Sequence, residues 1–228
     1  VKDAVGNAAT EVTRTVIVVP ATPATPATPA APTATAGDSQ ASVTWTKPAD
    51  NGSTITGYTV TAYTTGTSSI FAETGTGTRP VGIAIDAAGN IYTANFDSNN
   101  VSKITPDGTA SIFAETGTNP EAIAIDAAGN IYTANFGSDN VSKITPGGTA
   151  SIFAETGSSP VGIAIDAAGN IYTANYDSNN VSKITPDGTA SIFAETGTGT
   201  RPVGIAIDEA GNIYTANSFS NNVSKITP

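Results

Sequence analysis

The chain has 228 residues, of which 39% are hydrophobic, with 9 basic and 19 acidic groups and a formal charge of −10. That is enough apolar content to build a core, and the negative field repels phosphate backbones, so no nucleic-acid partner is expected. It contains no His, Cys or Met, which removes disulfides, thiolate chemistry, the commonest acid–base group and the commonest metal ligand.

No stretch approaches the roughly 18 to 20 consecutive apolar residues of a spanning helix, so no membrane span is expected. The chain begins at Val1 without a charged and apolar leader, and reads as an internal piece of a longer protein. Residues 1–19 place Val12, Val16 and Val18 on one face and Thr13, Thr15 and Ile17 on the other, after a turn-like Asp3–Asn7. This is a terminal-strand pattern. It resembles the tail of a bacterial Ig-like domain.

Residues 20–33 carry proline nearly every third position, which favours an extended polyproline II spacer without a core. Residues 34–68 follow with alternating runs at Ala41–Trp45 and Ile55–Val60 around an Asp50-Asn51-Gly52 turn. With Trp45 and Tyr58 as core aromatics, they resemble the first half of a fibronectin type III domain. The remaining strands of such a sandwich are missing, which predicts a poorly closed element.

From residue 69 the block SIFAETG recurs at Ser69, Ser111, Ser151 and Ser191, spaced by 42, 40 and 40 residues. A period near 40 signals stacked units. Within the first unit four strands are predicted: Val81–Ile85, Ile91–Asn95, Val101–Thr105 and Ser111–Glu115. Each connection has its own turn chemistry. Asp86-Ala87-Ala88-Gly89-Asn90 offers an Asx turn and a glycine for positive φ, Asp97–Asn100 makes a longer polar loop, and Pro106-Asp107-Gly108 makes a tight turn. Four antiparallel strands joined by such turns make one propeller blade.

The expected fold is therefore all-β: a propeller of four four-stranded blades over 69–228, as a closed ring or as an arc of a larger one, after a partial sandwich and a Pro-rich linker. A ring would be sealed by Ser69–Glu73 pairing beside Val223–Thr227, because the repeat begins on a fourth strand and ends on a third.

The motif Pro80…Ile83-Ala84-Ile85-Asp86…Gly89-Asn90-Ile91-Tyr92, with Asn100-Val101…Lys103-Ile104…Pro106…Gly108, recurs four times. It resembles the NHL-type repeats of bacterial streptogramin-lyase-like and gluconolactonase-like propellers. The resemblance implies a propeller strongly and an activity hardly at all. It also implies that a streptogramin lyase would rest on histidine, which this chain lacks, and that a gluconolactonase-like enzyme would hold a metal with Glu, Asn and Asp.

In a propeller the second-to-third strand loops and the fourth-to-first strand loops share one edge. Candidate ligand contacts there are Asn95, Phe96 and Asp97 with their copies Asn135, Phe136, Asn175, Tyr176, Asp177 and Asn217, and Arg79, Asn119 and Arg201 on the interblade loops. Glu121 is a further candidate, since the other copies have Val81, Val161 and Val203 in its place. The repeated Asp86, Asp126, Asp166 and Asp208 lack the alternating acids of a calcium loop and read as turn caps. The Asn-Val-Ser triplets at Asn100, Asn140, Asn180 and Asn222 read as residues entering a strand, not glycan acceptors.

Residues 81–117 and 161–197 differ at one position of 37, Phe96 against Tyr176. Such uniformity favours a multivalent surface over a catalytic centre. The expectation is a protein that is not an enzyme: a binding or adhesion module of an extracellular protein, secreted or at the cell surface, with a protein or carbohydrate ligand and no cofactor or metal. A metal-dependent lactonase- or lyase-like enzyme centred on Glu121, or a structural spacer in a surface fibre, are the alternatives.

Overall fold

The structure is a computed structural model, and it describes residues 30, 33–37, 40–49, 51, 68–76 and 78–228. The chain forms two compact units, residues 1–69 and 70–228. In the first, β1 (Thr33–Gly37) pairs antiparallel with β2 (Gln40–Thr44), Ala36 opposite Ala41. The Ig-like strand of residues 1–19, most of the linker and the strand expected at Ile55–Val60 lie outside the described residues.

The second unit is the repeat. Its first blade is β3 (Pro80–Ile85), β4 (Ile91–Asn95), β5 (Asn100–Ile104) and β6 (Ala110–Glu115), hydrogen-bonded in that order. The second is β7 (Pro120–Ile125), β8 (Ile131–Asn135), β9 (Asn140–Ile144) and β10 (Ala150–Glu155). The third is β11 (Pro160–Ile165), β12 (Ile171–Asn175), β13 (Asn180–Ile184) and β14 (Ala190–Glu195). The last has three strands, β15 (Pro202–Ile207), β16 (Ile213–Asn217) and β17 (Asn222–Ile226). A proline opening each first strand costs no ladder bond at that position.

Blades pack face to face, and the alternation of each strand supplies both faces. Tyr92, Ala94, Val101 and Ala114 of the first blade meet Ile123, Ile131 and Ile144 of the second in one buried cluster. The same cluster recurs at the next two junctions, around Tyr132 with Ile171 and Tyr172 with Ile213. Each junction also holds an edge-to-face ring pair, Tyr92–Phe113 at 5.3 Å, Tyr132–Phe153 at 5.5 Å and Tyr172–Phe193 at 5.3 Å, within the range where such pairs attract beyond their buried area. First strands of successive blades lie side by side, β3 on β7, β7 on β11 and β11 on β15. The approach is so close that a Cβ on Gly162 would lie 2.5 Å from the carbonyl oxygen of Val203, so glycine is required there.

The expected sealing of the ring is not seen. Residues 68–75 form no strand, and β17 has β16 as its neighbour in a three-stranded sheet. Phe71 instead sits on the first blade, where a Cβ on Gly108 would meet its carbonyl oxygen at 3.0 Å. Phe113 and Phe153 stand at 3.1 Å from the same point on Gly148 and Gly188. A fourth strand is thus held by the blade that follows it, through this aromatic contact, and Ile70–Glu73 takes that place ahead of the first blade. The described unit is an arc of a propeller.

Candidate functional site

The two edges of the blades differ. On one, Asp86 accepts from the backbone N–H of Ala88 and Asn90, both at 2.9 Å, from Asn90 Nδ2 at 2.8 Å and from Tyr92 Oη at 3.1 Å. Asp126, Asp166 and Asp208 repeat this set in the other blades. These bonds, led by the one from Asn90, hold the Asp86 carboxyl below its ordinary range. Desolvation and the neighbouring carboxylate push the Tyr92 hydroxyl up to about 12. Glycines 89, 129, 169 and 211 close the turns at φ of 80 to 83°. The carboxylates expected as turn caps have all their acceptor capacity engaged there.

The opposite edge gathers the loops between second and third strands with the interblade loops, through bonds such as Phe96 N to Arg79 O at 3.1 Å and Thr116 N to Asn99 O at 2.9 Å. Beneath it lies a buried amide network. In the second blade Asn135 Oδ1 accepts from Thr133 Oγ1 at 2.9 Å, while Asn135 Nδ2 donates to Asn140 Oδ1 at 2.8 Å and Ser142 Oγ at 2.9 Å. Asn95, Asn175 and Asn217 repeat it. These four asparagines, predicted as ligand contacts, are fully or almost fully buried and spend their amides internally. They tie the second strand of each blade to the third beneath the loop. Asn100, Asn140 and Asn180 are consumed in the same way, as strand residues.

The remaining candidates surface in two groups. In the first, the Arg79 guanidinium lies 4.0 Å from the centroid of the Phe96 ring and 3.4 Å from Asp97 Oδ1. Phe96 in turn faces Phe136, with centroids 6.2 Å apart. Asn119 donates from Nδ2 to Phe96 O at 3.0 Å. Glu121 starts the inner strand β7 next to this group; burial pushes its carboxyl up, and the charge of Arg79 pulls it down. In the second group Arg201 lies 5.0 Å from the Tyr176 ring and 5.2 Å from Phe219, and donates to Tyr176 Oη at 3.2 Å. Asp177 accepts from Ser159 Oγ at 2.7 Å, on the loop that leads into its own blade.

Both arginines sit on the longer interblade loops and are held in the left-handed region, Arg79 at φ 44° and Arg201 at φ 49°. Asn119 and Ser159 occupy the same position at 54° and 58°. Non-glycine residues pay about 1 to 2 kcal/mol for this conformation. The third-blade loop shows what compensates it: Asn179 Oδ1 accepts the Arg201 N–H at 2.9 Å. The loop of the preceding blade thereby aims the arginine.

Phe219 was not foreseen. The last blade reads Asn217-Ser218-Phe219, so its aromatic falls one residue later than Phe96 or Tyr176, in the place of Asp97. Among the described residues no three acidic side chains converge as metal ligands would. No described helix is long and apolar enough to cross a membrane.

Repeated four-stranded antiparallel blades around a line of inner strands define a β-propeller. The chain belongs to the Virginiamycin B lyase family, whose pattern matches residues 7–228. No curated protein sequence is matched. Among solved structures, a streptogramin B lyase is similar at 20% identity and a TM-score of 0.64, with 69% of this chain and 54% of that one covered. A catalytically inactive histidine-to-alanine virginiamycin B lyase from Staphylococcus aureus with quinupristin is similar at 19% identity and a TM-score of 0.56, covering 65% and 55%. A nidogen/laminin complex is similar at 20% identity and a TM-score of 0.53, covering 67% and 66%.

The chain spans a little over half the length of the lyases it matches. The expectation that the protein is not an enzyme is overturned, because its family is one of lyases. Repeat uniformity misled here because it resides in strands and turns, whereas the loop-edge positions differ from blade to blade.

Proposed function

We propose that this propeller binds a ligand of the streptogramin type at the loop edge, and that Glu121 serves there as the proton acceptor of a lyase reaction. The observation that carries the reading is the one acidic side chain on an inner strand. Glu121 replaces valine beside the Arg79–Phe96–Phe136 stack. Aromatic faces and a guanidinium suit a ligand built of rings and carbonyl oxygens. A lyase needs a group that removes a proton, and Glu121 offers a carboxylate there, its carboxyl pushed up by burial and pulled down by the charge of Arg79. The chain has no histidine for that role.

Quinupristin, the ligand of the similar inactive lyase, is the probe. Calorimetric titration should show binding, and chromatography of the mixture followed by fragmentation mass spectrometry should show a product distinct from the intact ligand. Glu121→Gln should keep binding and lose turnover, while Phe96→Ala should lose binding. Absence of binding in the unaltered protein sinks the ligand class; binding with equal turnover in Glu121→Gln sinks the role of Glu121.

A further inference from the structure

Around the loop edge one pair of positions varies together. The residue two places after each buried asparagine, Asp97, Gly137, Asp177 or Phe219, meets the residue before the first-strand proline of its own blade, Arg79, Asn119, Ser159 or Arg201. Asp97 pairs with the charge of Arg79 at 3.4 Å, and Asp177 accepts from Ser159 Oγ at 2.7 Å. Gly137 leaves room for Asn119, whose Oδ1 stands 2.5 Å from where a Cβ would be. In the fourth blade the acid is exchanged for a ring, and the Arg201 guanidinium lies 5.2 Å from the Phe219 centroid.

Arg201 is therefore set up differently from Arg79. Among the described residues no carboxylate stands within ion-pairing distance of it, and its guanidinium donates to Tyr176 Oη at 3.2 Å, with that ring's centroid at 5.0 Å. Asp177, the neighbour of Tyr176 in the chain, is turned onto Ser159 instead. The backbone beneath is pinned. The Arg201 N–H donates to Asn179 Oδ1 at 2.9 Å, its carbonyl accepts from Ser218 Oγ and Ser218 N, both at 3.0 Å, and Thr200 Oγ1 donates to Gly197 O at 2.9 Å. These contacts hold Arg201 at φ 49°, and strain held in place by its surroundings clusters at ligand sites. All of them are made between the third and fourth blades, both of which are described.

We infer that Arg201, Tyr176 and Phe219 form a second binding site, separate from the Glu121 group, for a small arene carboxylate. A guanidinium edge takes a carboxylate through two parallel N–H···O bonds in one plane. A ring conjugated with that carboxylate stays in the same plane, and so lies alongside the two side-chain rings that flank the guanidinium. The charge of −10 repels anions in general, so an anion retained here is retained by these local contacts.

Titration of the full chain with benzoate, followed by NMR, should saturably shift the Arg201 side-chain N–H and the ring protons of Tyr176 and Phe219. Benzamide lacks the charge and acetate lacks the ring, and each should bind about 10-fold more weakly or worse. Arg201→Gln should abolish the response, and Arg201→Lys should weaken it by roughly 3- to 10-fold, since an ammonium has no fork. Phe219→Asp gives the fourth blade the residue that pairs with Arg79 in the first. It should neutralise Arg201 and abolish benzoate binding, with the circular dichroism spectrum and melting temperature unchanged. Its affinity for quinupristin should also be unchanged, and a loss there would merge the two sites and overturn their separation. No saturable shift in the unaltered protein, an equal response to acetate or benzamide, or full benzoate binding by Phe219→Asp overturns the inference. Tighter binding of N-acetylphenylalanine than of benzoate overturns the arene class in favour of a peptide C terminus.

Discussion

The two edges of the blades are built from the same strands under opposite rules. At the turn edge the set Asp86, Gly89, Asn90 and Tyr92 recurs in all four blades with the same hydrogen bonds. At the loop edge the position before each first-strand proline is Arg79, Asn119, Ser159 or Arg201, and the position of Asp97 holds Gly137, Asp177 or Phe219. Uniform residues close the fold, and residues that differ between blades are free to meet a ligand. Changes at the turn edge, or in the buried network below the loops, should therefore cost stability, while changes on the loop surface should cost binding alone.

The largest effect is expected at the network. Asn135→Ala removes one of the two donors to each of Asn140 Oδ1 and Ser142 Oγ and the acceptor of buried Thr133 Oγ1, and should lower stability by roughly 2 to 3 kcal/mol. A urea midpoint equal to that of the unaltered protein would show that water replaces the amide. Next, Gly89→Val should cost about 1 to 2 kcal/mol, through its φ of 82° and not through crowding, since the nearest atom to a new Cβ is Pro106 Cγ at 3.7 Å. If Gly89→Asn, a residue that tolerates positive φ, proves equally costly, strain is not the cause.

Acid should weaken the turn edge as a group. The carboxyls of Asp86, Asp126, Asp166 and Asp208 are held below their ordinary value of 3.8 in the folded protein. Groups whose folded values are depressed add stability that is complete above the unfolded value and disappears as pH falls through the folded one. The urea midpoint should be insensitive to these groups between pH 7 and 5 and fall below about pH 4. A midpoint that holds steady to pH 2.5 would break this account. The smallest change in stability, under about 0.5 kcal/mol, is expected for Arg79→Ala, whose partner Asp97 is also about half exposed. The same variant should weaken quinupristin binding by roughly 3- to 10-fold, the size of a cation–π contact at a ligand. Equal affinity would remove Arg79 from the site.

Much of this was legible in the residues. Blade strands, turn glycines and the sharing of one edge by two loop sets follow from alternation, a 40-residue period and Asx-turn chemistry, all of which act over a few residues. The asparagines of the loop were legible as a repeated set but not as buried. Asn135 reads as a loop-former until Ser142, seven residues on in the next strand, is folded under it. Phe219 was missed because a one-residue shift hides it from any comparison that aligns the blades.

What the amino-acid sequence determined by itself is the blade: four short strands, their order and the faces they present, because each of those choices is made by neighbouring residues. Tertiary structure alone decided that Arg79 lies over Phe96 with Glu121 nearby, that Asn95 and its copies turn inward, and that Ile70–Glu73 stays with the first blade. Those outcomes depend on how blades pack across distances of some twenty or more residues, where near-identical repeats offer several equivalent partners and only the geometry of the assembled arc selects among them.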